Sequence, residues 1–194
     1  MSVKMKSRSL EEMVERYGEE QTAKFLQTFT CPMNSEVESF LRNKAMISFK
    51  LSSSQTYIVT DDESGLILGY YTLVLKSYNV NGTLLSSNNR RLIARFAEED
   101  EAGNFHAAVY LIAQIGKNFA VDESKRISGS ELISLALDEF RAIKSRVGGK
   151  LVMVEREDDR PKLLTFYQAN GFKSWTKRSD AKDNVCYDQM FATL

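Results

Sequence analysis

Two apolar runs with one amphipathic stretch between them constrain this chain's fold more than any other feature. "HAAVYLIAQIG" is apolar on both faces, the pattern of a central strand buried between layers. A polar connection from Lys117 to Ser128 follows. Then Leu132, Leu135, Ala136, Phe140, Ile143 and Val147 recur at spacings of three and four, up to Gly148-Gly149. That period predicts an amphipathic helix with a glycine stop. "KLVMVERE" is the second buried run. Strand, helix and strand in this order mean a sheet with helices packed on it.

The flanking segments extend the pattern. Ser9, with Glu12 three residues on, opens "LEEMVERYGEEQTAKFLQTF" as a capping box, and Gly18 splits it into two short helices. Asn34 or Ser35 caps a further helix, with Val37, Phe40, Leu41, Ala45 and Phe49 on one face. "TYIVTD" and "SGLILGYYTLVLKSYNV" read as a β-hairpin, and "NRRLIARF" as a short helix or amphipathic loop. Pro161 starts a helix that Gly171 ends, and "FKSWTKR" and "VCYDQMFATL" close the chain as an antiparallel pair. The expected architecture is α/β, a mixed sheet with helices on both faces. It forms a single domain over residues 1–194, with an N-terminal helical extension over about residues 1–30.

Charge and composition exclude several functions. Net charge is zero, so nothing pulls the whole chain toward nucleic acid or an anionic membrane. From Arg141 to Lys182, however, eleven Lys or Arg stand against five acids, while residues 98–101 read Glu-Glu-Asp-Glu. Two cysteines, Cys31 and Cys186, and one histidine, His106, are too few for a Cys/His zinc site. Two cysteines in a chain of this size point to reduced thiols, with a disulfide as the other reading. No apolar run is long enough to span a membrane, and Met1 to Leu10 lack an apolar signal core. A cytoplasmic location is expected.

"RISGSELISLALDEF" joins small residues directly to a helix start. Backbone amides there could face an anion such as a phosphate, or the run could be an ordinary serine cap.

The element order resembles the GNAT acetyltransferase superfamily, mostly antiparallel in its sheet, and the motifs that carry the likeness cover most of the chain. "AQIGKN" looks like the family's fourth strand, which pairs with the pantetheine of acetyl-CoA. "KRISGSELI" stands at the family's pyrophosphate loop, with Ile127 at its middle glycine and Gly129 at its last small residue. "LLTFYQANGF" is similar to the family ending Phe-Tyr-x-x-x-Gly-Phe. A narrower likeness lies in "FTCPMNSEVESFLRNKAMISFKLSSSQTYIV". It resembles GNAT toxins that acetylate the amino acid on charged tRNA and that a small DNA-binding antitoxin holds. Cys31, Phe40, Leu41, Ala45, Thr56 and Tyr57 keep their places there, while Pro32 and Gln55 depart.

The resemblance implies an acetyl-CoA-dependent N-acetyltransferase acting on a primary amine, its acceptor unassigned. Cofactor binding falls to Ile115, Gly116, Lys117, Lys125, Arg126, Ile127, Ser128, Gly129 and Ser130. Tyr167 is the candidate general acid for the departing thiolate, and a packed core aromatic is its plainer role. Glu155 is a weaker candidate base, its plainer role a charge at the sheet edge or cleft rim. His106 lies far from every motif and reads as structural or exposed. No metal is implied.

Two further readings stay open: an aminoacyl-tRNA-acetylating toxin, and a GNAT-fold module that binds acyl-CoA or a protein without catalysis. The implied partners are acetyl-CoA and an amine acceptor. Others are tRNA, an antitoxin-like protein and a second copy of the chain, with no membrane. Lys44, Lys50, Arg90, Arg91, Lys173, Lys177 and Arg178 are the cations available to a tRNA reader.

Overall fold

One mixed sheet flanked by helices takes its strands in the order Met5–Ser9, Gln55–Asp61, Ile67–Asn81, Asn104–Lys117, Leu151–Glu157, Val185–Thr193 and Lys173–Asp180, with Glu98–Glu99 paired to Asn104–Lys117. The structure, a computed structural model, describes residues 4–180 and 185–194; Lys182 lies outside them. The chain divides into two compact units, Met1–Val74 with Ile112–Asp138, and Leu75–Leu111 with Glu139–Leu194.

In the first unit, β1 (Met5–Ser9) leads into α1 (Leu10–Tyr17) and α2 (Glu19–Leu26). The Ser9–Glu12 capping box is formed in both directions, and Gly18, at a φ of 80°, separates the two helices. β1 itself was not expected. Its sequence, MKSRS, has no apolar alternation, and what makes it a strand is the antiparallel ladder to β2 (Gln55–Asp61), from Met5–Asp61 to Ser9–Tyr57. β2 in turn pairs with β3 (Ile67–Asn81), which is the expected hairpin.

Asn34 caps α3 (Ser35–Ser39) by accepting the amides of Glu36 and Val37. A wide turn of π-helical geometry, Phe40–Lys44, joins α3 to α4 (Ala45–Lys50). Val37, Leu41 and Ala45 enter a core with Leu10, Leu26, Phe29, Ile58 and Tyr70, and the Tyr70 hydroxyl donates to the Val37 carbonyl at 2.7 Å.

The second unit holds α5 (Ser87–Ile93), β4 (Glu98–Glu99), β6 (Leu151–Glu157), α7 (Pro161–Ala169), β7 (Lys173–Asp180) and β8 (Val185–Thr193). β3, β5 (Asn104–Lys117) and α6 (Gly129–Val147) each begin in one unit and end in the other. β5 runs parallel to β6 from Val109–Leu151 to Leu111–Met153, and β6–β8 and β8–β7 are antiparallel. The core here comprises Tyr78, Ile93, Phe105, Val109, Leu151, Met153, Trp175 and Phe191, with the Trp175 and Phe191 rings stacked at 4.5 Å.

Two expectations need correction. β5 is not buried on both faces along its length: His106 and Ala108 are exposed between buried neighbours, and Ala113 is exposed after buried Ile112. Alanine is apolar enough to imitate a core position while costing little at the surface. On α6, Val147 is 66% exposed in the last turn, and Ile133 is buried instead. Cys31 and Cys186 are both free thiols. His106 is exposed, its ring bonded to Asn79 at 3.0 Å and Asp100 at 2.9 Å.

Candidate active site

The helix start at Ser128 carries a side-chain cap. Ser128 and Glu131 form a capping box: the Glu131 amide donates to Ser128 Oγ at 3.1 Å, and the Ser128 amide donates to Glu131 Oε2 at 2.8 Å. The hydrogen bonds of Ser128 hold the Glu131 carboxyl below the usual carboxylate range. The amides of Gly129 and Ser130, in the first turn, have no protein acceptor among the described residues. These two are the donors an anion could still take.

The loop's cations behave differently from each other. Arg126 turns inward. Its Nη2 donates to the carbonyls of Val121 at 3.0 Å and Phe119 at 3.5 Å, and its guanidinium lies 4.7 Å from the centre of the Phe119 ring. It braces the loop from Asn118 to Ile127. Ile127, at the family's middle glycine, is buried at 3% exposure, a hydrophobic anchor where close approach of a ligand would need no side chain. Lys125 is exposed and is the cation available to an anion at this helix start.

Ile115, Gly116 and Lys117 end β5, and the ladder to β6 has already stopped at Leu111–Met153, though both strands run on. Gly116 has a packing reason of its own. A Cβ there would lie well inside van der Waals contact distance of Val37 Cγ1, and 3.2 Å from both Phe29 and Tyr70. Gly69 is fixed from the other side, where a Cβ would sit 2.7 Å from the Gly116 carbonyl oxygen. Lys117 is half-buried, its ammonium 5.7 Å from the Phe119 ring centre.

Sequence reasoning missed Asn118. It is 2% exposed, and its amide and Nδ2 donate to the β3 carbonyls of Leu68 and Ile67, both at 2.8 Å. Its Oδ1 accepts the amides of Thr30 at 2.9 Å and Ala120 at 3.1 Å. One amide side chain thus pins the end of β5 to β3, to the segment after α2, and to its own loop. An Asn directly after a strand signals only a turn, so nothing in the sequence marked it.

In the second unit, Tyr167 is 6% exposed on α7. Its ring packs against Phe166 at 5.1 Å and, edge-on, Phe172 at 5.8 Å. Burial pushes the phenol up to about 12. Its hydroxyl has no protein hydrogen-bond partner among the described residues. A packed ring with a protonated, uncommitted hydroxyl is what a proton donor needs.

Glu155 is already engaged. Gln189 Nε2 donates to its Oε1 at 2.7 Å, and Arg178 Nε pairs with the same oxygen at 3.3 Å. Gln189 Oε1 in turn accepts from Thr176 at 2.8 Å and Tyr78 at 3.3 Å. Glu155 lies on the inner strand β6, two residues past the last β5–β6 ladder pair and paired with Gln189 of β8. Its oxygens are committed to a guanidinium and an amide, so its place in this network is structural.

Ion pairing also thins the basic surface. Lys177 pairs with Asp158, Arg178 with Glu155, Arg90 with Glu99 and Lys50 with Glu19. Among the described residues, Lys44, Arg91 and Lys173 are exposed without an ionic partner.

No protein-family model matches the chain, and no curated protein does. Solved structures do. The mixed sheet, the helix opening after the central strand, and the α7–β7–β8 ending together make a GNAT-like fold, which solved structures share. The particular likenesses are to the toxins AtaT and KacT. AtaT complexed with acetyl-methionyl-tRNAfMet has a TM-score of 0.63 at 16% identity, covering 95% of this chain and 94% of that one. A tyrosine-to-phenylalanine mutant of KacT has a TM-score of 0.64 at 16% identity, with coverage of 95% and 94%. AtaT bound to the C-terminus of the antitoxin AtaR and acetyl-CoA has a TM-score of 0.55 at 18% identity, with coverage of 84% on both sides.

Proposed function

We propose that this protein is an acetyl-CoA-dependent N-acetyltransferase of the toxin type, whose acceptor is the amino group of an aminoacyl-tRNA. It works in the cytoplasm, and an antitoxin-like protein restrains it. The observation that carries the enzyme reading is Tyr167, a phenol with a locked ring, a held proton and an uncommitted hydroxyl. The choice of acceptor draws support from the likeness to AtaT, a protein known in complex with acetyl-methionyl-tRNAfMet, along nearly the whole chain. The antitoxin draws on the AtaT–AtaR complex in the same way.

The residues fit acetyl-CoA in part. The free amides of Gly129 and Ser130, the α6 dipole and Lys125 would hold the pyrophosphate. Arg126 and the Ser128 amide are committed elsewhere.

Acetyl transfer leaves a thiolate that must gain a proton. In water a thiol titrates at about 8.5. A phenol at about 12 therefore protonates it uphill, by roughly 5 kcal/mol on the scale of 1.36 kcal/mol per unit. The apolar shell that raises the phenol would raise a thiolate leaving beside it as well, which narrows that gap. Glu155 is not given the base role, so water is left to take the proton from the amine.

The test is incubation with charged tRNA and labelled acetyl-CoA. Label on the aminoacyl group supports the proposal; transfer only to simple amines or peptides removes the tRNA acceptor. A second reading, a GNAT-fold module that binds acyl-CoA or a protein without catalysis, draws on the inward Arg126 and the occupied Ser128 amide. It predicts no transfer to any acceptor.

A further inference from the structure

We infer that Arg156 is a positioning residue for Tyr167. The inference rests on the acid role proposed above for that phenol. Arg156 sits on β6 with its side chain 6% exposed, and it holds the start of α7 from outside the helix. Its Nη1 donates to the carbonyls of Glu157 at 3.0 Å, Asp158 at 3.2 Å and Arg160 at 3.4 Å. Its Nη2 donates to Asp188 Oδ2 at 2.9 Å, and that oxygen also accepts the Ser174 hydroxyl at 2.7 Å. One guanidinium therefore ties the whole β6–α7 connection to β8.

The Arg160 carbonyl is the cap carbonyl of α7 and also receives the amides of Leu163 at 3.0 Å and Leu164 at 3.4 Å. α7 has no side-chain cap of its own; Pro161 only fixes its first dihedral. Its entry angle is therefore set by what holds Glu157–Arg160. The solvent-accessible pairs Lys177–Asp158 and Arg160–Glu157, half-buried at most, are weaker restraints in water. The Asp158 amide also donates to the Cys186 carbonyl of β8 at 2.9 Å, and the buried side chain that gathers the connection's carbonyls is Arg156.

Tyr167 stands six residues past Pro161, about 9 Å along the helix axis. A change of tilt at the helix start is carried by a rigid helix to the phenol. A buried ion pair returns little net stability over an apolar replacement, so its use here is to fix one geometry. Lysine could replace the charge but not the fork that gathers carbonyls and carboxylate at once.

The experiment is a double-mutant cycle on the full chain: Arg156→Lys, Tyr167→Phe and both together, with kcat and KM for acetyl-CoA and a thermal melt of each. A displacement of about 1 Å at a reacting group can cost on the order of 10²-fold. The expected result is a fall in kcat of roughly 10- to 100-fold for Arg156→Lys, with KM for acetyl-CoA unchanged. In the Tyr167→Phe background the same substitution should then change kcat little, because the group it positions is gone. An equal loss in both backgrounds, or no loss in either, overturns the inference. If Arg156→Lys fails to fold, Ser174→Ala replaces it in the cycle, since it loosens Asp188 while leaving the ion pair. The same non-additivity at smaller amplitude supports the inference, and an additive loss overturns it. A wild-type protein that transfers acetyl to no acceptor overturns the enzyme reading itself, an outcome distinct from an additive cycle.

Discussion

The Phe172 ring meets the Tyr167 ring edge-on at 5.8 Å because Gly171 lies between the end of α7 and Phe172 at a φ of 88°. In this left-handed turn the Phe172 amide donates back to the Tyr167 carbonyl at 3.0 Å, which brings the two aromatic residues together. The spacing Phe-Tyr-x-x-x-Gly-Phe is thus a device for clamping one ring, and it leaves that ring's hydroxyl unspent.

Tyr167→Phe should therefore separate chemistry from packing. The ring and its two aromatic neighbours remain, and the hydroxyl has no protein partner to lose. General acid catalysis contributes about 10²–10⁴-fold, so kcat should fall by that order while the melting temperature and acetyl-CoA affinity hold. Wild-type turnover by the folded variant, on an acceptor the parent uses, would remove the acid role.

Gly116→Ala should destabilise the protein by about 1–3 kcal/mol or more, read as a lower urea midpoint at unchanged slope. The new methyl would overlap Val37 Cγ1 and crowd Phe29 and Tyr70, which are buried and cannot yield freely. If the variant is as stable as its parent, the glycine is not there for packing, and access of a ligand backbone becomes the reason for it.

The periodic elements were legible in the sequence because their signals are local. The Ser9 capping box, the break at Gly18, the β2–β3 hairpin and the stop after α6 each rest on residues a few positions apart. What escaped depends on partners far along the chain. β1 is a strand only through its ladder to β2, and Asn118 matters only because Thr30 and Ile67 come to it. At the candidate site, Arg126 was readable as a cation beside a helix start. Its inward turn toward Val121 and Phe119 was not, since a long side chain can point either way from one backbone position. Tyr167 is singled out as a candidate by its motif, whereas Arg156 carries no motif.

Glu131→Ala tests whether a phosphate belongs at the start of α6. The substitution removes a carboxylate and releases the Ser128 amide, at a stability cost of about 0.3–1.5 kcal/mol for the lost capping box. Acetyl-CoA should then bind roughly two- to fivefold tighter, the equivalent of about 0.3–1 kcal/mol for relieving a like charge at a helix N-terminus. Calorimetry with acetyl-CoA reads this directly. Affinity that stays the same or falls would mean that the pyrophosphate does not use this helix start.

The tRNA acceptor makes a prediction about which cations count. Zero net charge leaves no general attraction, so binding must come from local cations that are not already neutralised. Lys177 and Arg178 have carboxylate partners at Asp158 and Glu155, and releasing them would cost those pairs. Lys44, Arg91 and Lys173 carry no such debt. Removing a cation that meets a phosphate should lower the slope of log affinity against log salt by about one. Alanine at one of these three positions should do so if that side chain binds the tRNA backbone, whereas Lys177→Ala should change the slope less. Filter binding of charged tRNA over a salt series distinguishes the cases. Slopes unchanged in all three single variants, with the protein still acetylating charged tRNA, would show that the tRNA is held elsewhere on the surface.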